Sequence, residues 1–588
     1  VTTQEQRPTK RILDAAKLPA ADPIPHPALD RPVEEAASKP GGLDRVVFGV
    51  TAGIAIAFLV WGFVSTSSLA TASGNALTWV MEDAGWLFVL TASAIVVFVI
   101  WLAASRYGDI PLGRDDETPE FRTVSWVAMM FSAGMGIGLM FYGVGEPISH
   151  FTTAPPGTGD AGSVQTAMAT TLFHWTLHPW AIYAVVGLAI AYGTYRKGRV
   201  QLISAAFEPL LGKRVNGGWG RVIDMLAIFA TLFGSAASLG LGALQIGTGL
   251  EIVTSIGTVG NAVLISIIAV LTVAFILSAV SGVARGIQWL SNINMVLALA
   301  LALFIFIGGP TIFMLNLVPT SVGSYLGDLP MMSARTAAEG DDVNAWLESW
   351  TIFYWAWWVS WTPFVGMFIA RISRGRTIRQ FVTGVLLVPS VVSLVWFCIF
   401  GGAAIKLQQT GTDIAGAGGG KIESQLFNTL DAYPLATVTT IIVMILVAIF
   451  FVSGADAASI VMGTLSERGS QEPRRRTVVF WGVATGSVAA VMLLVGGSNA
   501  LTGLQSITIV AALPFVVVML ALCVSLMKDL RSDPLMVRRR YASEAIEQAV
   551  VTGVTAHGDD FAISVESDPE NSADWSITTS SSTADDPR

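Results

Sequence analysis

Charge is scarce in this 588-residue chain. Asp, Glu, Lys and Arg make up 13% of it, against about 25% in an ordinary soluble domain. A chain so poor in charge cannot clothe a water-facing surface, which excludes a typical soluble enzyme and a disordered protein. Basic charge is not in excess either: the formal net charge is -8, so no broad basic face exists for nucleic acid. Cysteine is nearly missing. The two present, Cys398 and Cys523, lie in separate apolar runs without metal-ligand spacing, which argues against a disulfide framework or a zinc site. What the chain does have is 53% hydrophobic residues, 58 glycines and 18 tryptophans, residue types that helices use to pack within lipid and at its interfaces. The composition is that of an all-α polytopic membrane protein.

A helix needs about 20 mostly apolar residues to cross the hydrocarbon core. By that measure twelve stretches qualify, near 45–66, 85–105, 124–145, 168–193, 222–250, 261–281, 287–309, 347–370, 380–405, 437–465, 477–497 and 505–527. Residues 1–44 form a polar N-terminal tail, with no short apolar core of a cleaved signal peptide. Residues 45–528 hold the membrane part, and 529–588 form a C-terminal tail. The even-numbered loops carry 18 Lys and Arg and the odd-numbered loops 3. Positive loops stay inside, so twelve spans with both termini cytoplasmic is the expectation. The segment 311–336 is too polar and broken to span and reads either as an amphipathic stretch on the outer face or as an ordered loop.

Two of the stretches are interrupted. The third contains Gly134-Met135-Gly136-Ile137-Gly138, and the eighth contains Pro363 after Trp355-Ala356-Trp357-Trp358-Val359-Ser360-Trp361-Thr362. Gly costs a helix about 1 kcal/mol relative to Ala, and Pro removes a donor. Such interruptions free backbone groups for a ligand at the midplane of transporters built from inverted repeats. Their separation by five stretches predicts opposite directions through the bilayer, and with it a five-plus-five inverted repeat preceded by two extra helices.

The aromatic residues cluster as well. Trp355, Trp357, Trp358 and Trp361 fall within seven residues, flanked by Phe353 and Phe364, and Trp175, Trp180 and Tyr183 lie on the fourth stretch. Interfacial anchoring does not require four tryptophans so close together, whereas ring faces attract a desolvated onium group by about 2 kcal/mol or more per good contact. Asp456 is the only acid in mid-stretch, and Glu146 lies at the outer end of the third stretch. With no carboxylate expected near the rings, the substrate reads as a small zwitterion. Its carboxylate would meet the Gly134–Gly138 backbone. For a coupling cation, hydroxyls recur at Thr231, Ser235 and Ser238 and at Ser453, although membrane Ser and Thr more often bond their own helix. No Lys or Arg stands in the fifth stretch as a resident substitute charge, which favours Na+ coupling. No nucleophile, metal cluster or paired carboxylate suggests an enzyme. A channel would need a polar pore, which a tryptophan-rich midplane does not offer.

The runs FSAGMGIGLMFYGVGEP, HWTLHPWAIYAVVGLAIAYGTYR and SWTIFYWAWWVSWTPFVGMFIARISRGRTIR resemble the betaine/choline/carnitine transporter family, and within it the sodium-coupled glycine betaine carriers of Gram-positive bacteria. The resemblance covers about residues 45–530. It implies a LeuT-like fold and a homotrimer in a bacterial cell membrane. The implied substrate residues are Trp175, Trp180, Tyr183, Trp357, Trp358 and Trp361, with Gly134, Met135, Gly136 and Gly138 on the carboxylate side. One sodium ion would lie among Ser132, Ala133, Met135, Phe450 and Ser453, and a second among Thr231, Ser235 and Phe364, with Tyr183 as a further candidate. Gly454 departs from the family pattern, which usually carries a hydroxyl there. Met135 between glycines resembles betaine-type members. Glycine betaine is thus the first expectation, with ectoine or proline also possible and proton-coupled or exchange transport of choline or carnitine as the alternative. No organic cofactor is implied.

The C-terminal tail holds twelve acids against five Lys and Arg and ends in a Ser/Thr-rich stretch, a composition expected to be largely disordered. Its patch Arg538-Arg539-Arg540 resembles a family osmosensing helix only over those three residues and reads more simply as a positive-inside anchor.

Overall fold

A computed structural model of the chain describes residues 42–134, 136–254, 256–281, 284–416, 420–497, 499–567 and 575–580. Contacts divide the described residues into two compact units, 42–526 and a second from Met527 onward. Helices of nine residues or more follow in chain order. They are α1 (Arg45–Val64), α2 (Thr66–Ala104, through a π-helical turn at Val80–Ala84), α3 (Thr123–Gly134), α4 (Ile137–Thr152), α5 (Val164–Trp175) and α6 (Leu177–Ala191). Next come α7 (Gly218–Thr254), α8 (Asn261–Ser281), α9 (Ala284–Gly308), α10 (Thr311–Ala334), α11 (Asp341–Ser349) and α12 (Thr351–Ile372). The remainder are α13 (Ile378–Gln409), α14 (Ile422–Asp431), α15 (Ala436–Ser466), α16 (Arg475–Val495), α17 (Ala500–Arg531) and α18 (Pro534–His557).

The count of twelve spans is not upheld. Among the described residues nine helices are long and apolar enough to cross a membrane: α1, α2, the run Val164–Arg196 that contains α5 and α6, α7, α8, α13, α15, α16 and α17. The count becomes ten if α9 and α10, bent by 108° at their junction, form one span. The third stretch fails because it breaks around Gly136 into a 12-residue and a 16-residue helix, each shorter than the roughly 20 residues a crossing requires. The eighth fails because α12, 22 residues long, draws its bulk from Trp and Tyr, whose polar handles lower its hydropathy. With those two stretches outside the count, the LeuT-like five-plus-five repeat loses the parity on which it rested, and nothing in the described residues evidences it.

Local chemistry explains where the elements begin. Asp44 caps α1, its carboxylate accepting from the Val46 and Val47 N–H groups at 3.0 and 3.2 Å, and the same group meets Arg221 on α7 at 3.2 Å. Thr377 and Gln380 form a reciprocal capping box at the start of α13. The segment read as too broken to span is the helix α10, turned sharply away from α9 and containing Pro319 and Pro330.

The core lies where α6 and α7 each pack against α12. Glycine on both partners allows α6 and α12 to approach closely: a Cβ on Gly366 would stand 2.8 Å from Val186, and one on Gly187 would stand 3.3 Å from the Gly366 carbonyl oxygen. Along this seam Trp355 stacks on His178 of α6 at 4.9 Å; Trp355 and Trp357 are each 1% exposed, and Trp361 is half-buried.

In the second unit, the tail expected to be largely disordered carries α18 and an antiparallel pair, β1 (Ala562–Ser567) and β2 (Trp575–Ser580). Pro534 at the first helical position and the Asp533 carboxylate, accepting from the Leu535 N–H at 2.8 Å, start α18.

Candidate functional site

The break between α3 and α4 sets the site. Gly136 is fully extended and α4 begins at the next residue. The first N–H groups of α4 therefore have no partner within the helix, and its N-terminus carries partial positive charge. Gly136 and Gly138 line a cavity together with Trp175, Trp180, Tyr183, Trp357, Trp358 and Trp361. Every aromatic side chain expected at the substrate thus borders one space, and the resemblance's Gly136 and Gly138 border it too. Met135 lies outside the described residues, as do the side chains of Ser132 and Ala133; Gly134 ends α3.

Glycine at 138 is a steric requirement. A Cβ there would lie 2.8 Å from the Trp175 ring and 2.8 Å from the Trp357 ring, closer than real carbon atoms approach. The rings themselves are held in a fixed array. Trp357 and Trp358 stack with centroids 4.7 Å apart, Trp175 meets Trp358 edge-on at 4.9 Å, and Trp180 meets Tyr183 at 5.3 Å.

Hydrogen bonds to four different partners fasten these indoles. Trp357 donates to Ser238 Oγ at 2.9 Å, Trp358 to the His174 carbonyl at 3.0 Å, and Trp361 to the Gly234 carbonyl at 3.1 Å. Trp175 donates to Glu146 Oε2 at 2.6 Å. With these four N–H groups engaged in the protein, Trp175, Trp357, Trp358 and Trp361 offer the cavity their carbon rings, the surface that attracts a poorly hydrated cation. Side chains lining the cavity carry no formal charge; Ser393 on α13 supplies a hydroxyl there.

The expectation that no carboxylate stands near the rings is corrected by Glu146. Its side chain is fully buried and its Oε2 accepts from both Trp175 and the Tyr354 hydroxyl, the latter at 2.5 Å, while Oε1 faces His174 Nδ1 at 2.5 Å. The acid sits behind the Trp175 ring and outside the cavity lining, so its charge serves the scaffold. The third stretch ends at residue 145 by its apolar content, which puts Glu146 at its outer end, whereas α4 continues to Thr152. The signal available was an ionisable residue with a histidine four positions on, in an otherwise apolar segment.

A second cavity adjoins the first and shares Gly136, Trp361 and Val365 with it. Ser235, Phe364, Phe450, Ser453 and Gly454 line it. The Ser235 hydroxyl is buried with no hydrogen-bond partner. Ser453 differs: its hydroxyl donates back to the Ile449 carbonyl at 2.9 Å. Thr231 also bonds its own helix, to the Ala227 carbonyl at 2.8 Å, and lines neither cavity. Of the hydroxyls at Thr231, Ser235, Ser238 and Ser453, the last three therefore reach a common space, Ser238 while bonded to the Gly234 carbonyl at 3.3 Å, and Thr231 does not.

The sequence as a whole is similar to those of known transporters. The chain is 47% identical over 528 residues to the betaine/ectoine transporter LcoP of Corynebacterium glutamicum, covering 89% of this chain and 84% of that protein. It is 46% identical over 490 residues to the glycine betaine transporter OpuD of Bacillus subtilis, covering 83% and 94%. An uncharacterized transporter of Mycobacterium tuberculosis is 46% identical over 497 residues, covering 84% and 83%. The model of the betaine/carnitine/choline family of transporters matches residues 46–535, and the chain, a multi-pass membrane protein, belongs to that family.

Proposed function

We propose that the chain imports a small zwitterionic compatible solute, glycine betaine first, together with Na+. The observation that carries the reading is the uncharged cavity in which six aromatic side chains face the start of α4. A quaternary ammonium has no N–H to donate and is weakly hydrated, so ring faces are a sufficient partner for it. A carboxylate at the other end of the same molecule suits the unpaired N–H groups of the first turn of α4. Net neutrality of the substrate matches the uncharged lining. Relatives named for betaine and for betaine with ectoine support this substrate class. Ectoine also joins a delocalised cation to a carboxylate.

The sodium part rests on the second cavity. There Ser235, whose hydroxyl lacks a partner, faces Ser453 and Phe450 across a space continuous with the aromatic one at Trp361. A hard cation takes oxygen ligands of this kind. Trp361, bordering both cavities, is then the side chain through which one occupant senses the other. Movement of the solute follows by alternating access around this site. The test is an indole-fluorescence titration of the purified chain with glycine betaine, in NaCl and then in KCl. Saturable binding that tightens in sodium is expected; identical titrations in both salts would remove sodium from the account, and no saturation would remove glycine betaine.

A further inference from the structure

Behind the aromatic cavity, three ionisable side chains converge. Glu146 and His150 stand one turn apart on α4, and His174 is the penultimate residue of α5; each offers one ligand atom, and the three atoms lie within 4.8 Å of one another. His174 Nδ1 is 2.5 Å from Glu146 Oε1 and His150 Nε2 is 3.4 Å from the same oxygen, with all three side chains at most 1% exposed. His150 Nε2 makes no hydrogen bond, a costly state for a buried nitrogen.

The surroundings orient each of these groups. The far nitrogen of His174 meets Thr351 Oγ1 at 2.9 Å, the kind of outer partner that fixes the tautomer of a metal-binding imidazole. Trp175 and Tyr354 hold Glu146 Oε2 and leave Oε1 toward the histidines. Ring packing sets the imidazole planes: His174 stacks on Tyr354 at 4.8 Å, and His150 lies 4.5 Å from the Trp350 ring.

We propose that Glu146, His150 and His174 bind a divalent transition-metal ion of the Zn2+ class. Two imidazoles and a carboxylate suit Zn2+, Co2+ or Ni2+ and are a poor set for Mg2+ or Ca2+. Tetrahedral zinc with bonds of about 2.0–2.1 Å sets its ligands about 3.3 Å apart. The His150–Glu146 pair already has that spacing, and the His174–Glu146 pair reaches it by opening about 0.8 Å. The ion takes the place of the proton between His174 Nδ1 and Glu146, so one proton leaves as the metal enters. Once bound, the ion ties α4 to α5 and, through Thr351 and Tyr354, to α12. It therefore fastens the scaffold of Trp175 and slows solute transport.

Equilibrium dialysis of the full-length purified protein against Zn2+ in excess Mg2+ tests the site directly. One zinc per chain is expected, with His150→Ala weakening it by more than the roughly 10–100-fold that loss of an outer partner costs. If the alanine variant does not fold, His150→Gln repeats the comparison. Cobalt absorption of the unmodified chain gives an independent reading, with the intense visible bands of a tetrahedral site expected. No stoichiometric zinc, unchanged affinity in either His150 variant, or a weak octahedral cobalt spectrum would overturn the proposal.

Discussion

Trp175 donates its indole N–H to Glu146 Oε2 at 2.6 Å, so a wall of the proposed substrate cavity is held by a buried carboxylate that never touches the cavity. Hydrogen bonds to charged groups are worth about 1.5–3 kcal/mol, and the Tyr354 hydroxyl and His174 share the same carboxylate. Glu146→Gln keeps the shape and loses an acceptor where at least three donors converge. We expect it to raise the apparent KM for glycine betaine about tenfold or more, read from uptake kinetics in proteoliposomes. An unchanged KM would show that Trp175 does not depend on Glu146 for its position.

Trp358 stacks on Trp357 and anchors to the His174 carbonyl. Trp358→Leu removes one ring face worth about 2 kcal/mol to an onium and should weaken solute binding roughly 10- to 30-fold. Trp358→Phe, retaining an aromatic face, should recover part of that loss. Equal binding by the leucine variant and the parent chain would remove this ring from the site.

Ser235 and Ser453 give a paired test of the cation reading. Ser453 already bonds its own helix, whereas the Ser235 hydroxyl has no partner and faces the same cavity. Ser235→Ala is expected to raise the sodium concentration for half-maximal transport severalfold without lowering the melting temperature, since no protein hydrogen bond is lost. A sodium titration superimposable on that of the parent would place the ion elsewhere.

Asp44 links stability to pH at the start of α1. Burial raises its carboxyl pKa, but the Val47 and Val46 N–H groups and the Arg221 guanidinium outweigh this and hold it below the ordinary 3.8. A carboxyl depressed on folding adds stability above its unfolded pKa and loses it as pH falls through the folded value. Asp44→Asn should therefore lower the melting temperature of the detergent-solubilised protein at pH 7, with the difference shrinking as pH drops below about 4. A difference independent of pH would assign the loss to capping geometry alone.

Much of the site was legible because aromatic rings and glycines declare themselves by type and spacing. Trp361 stands one helical turn after Trp357 and Trp358, and the Gly134–Gly138 run marks the place where its helix breaks, although Gly240 and Gly242 sit within the continuous α7. Span counting failed at those same residues: the break around Gly136 shortens both α3 and α4, and the indoles that build the cavity make α12 less apolar than a simple crossing helix. Glu146 escaped for a different reason. Its role depends on Trp175 and Tyr354, 29 and 208 positions away in sequence, and no local pattern encodes that meeting. Thr231 shows the converse. Its helical spacing with Ser235 suggested a shared ligand, yet its hydroxyl is spent on the Ala227 carbonyl.

Uptake of labelled glycine betaine into proteoliposomes, under an inward Na+ gradient and with K+ in its place, tests the central claim most directly. Accumulation above equilibrium in sodium, absent in potassium and competed by ectoine but poorly by choline, is the predicted result. Accumulation driven in potassium by a pH step, or choline taken up in preference to glycine betaine, would contradict the account.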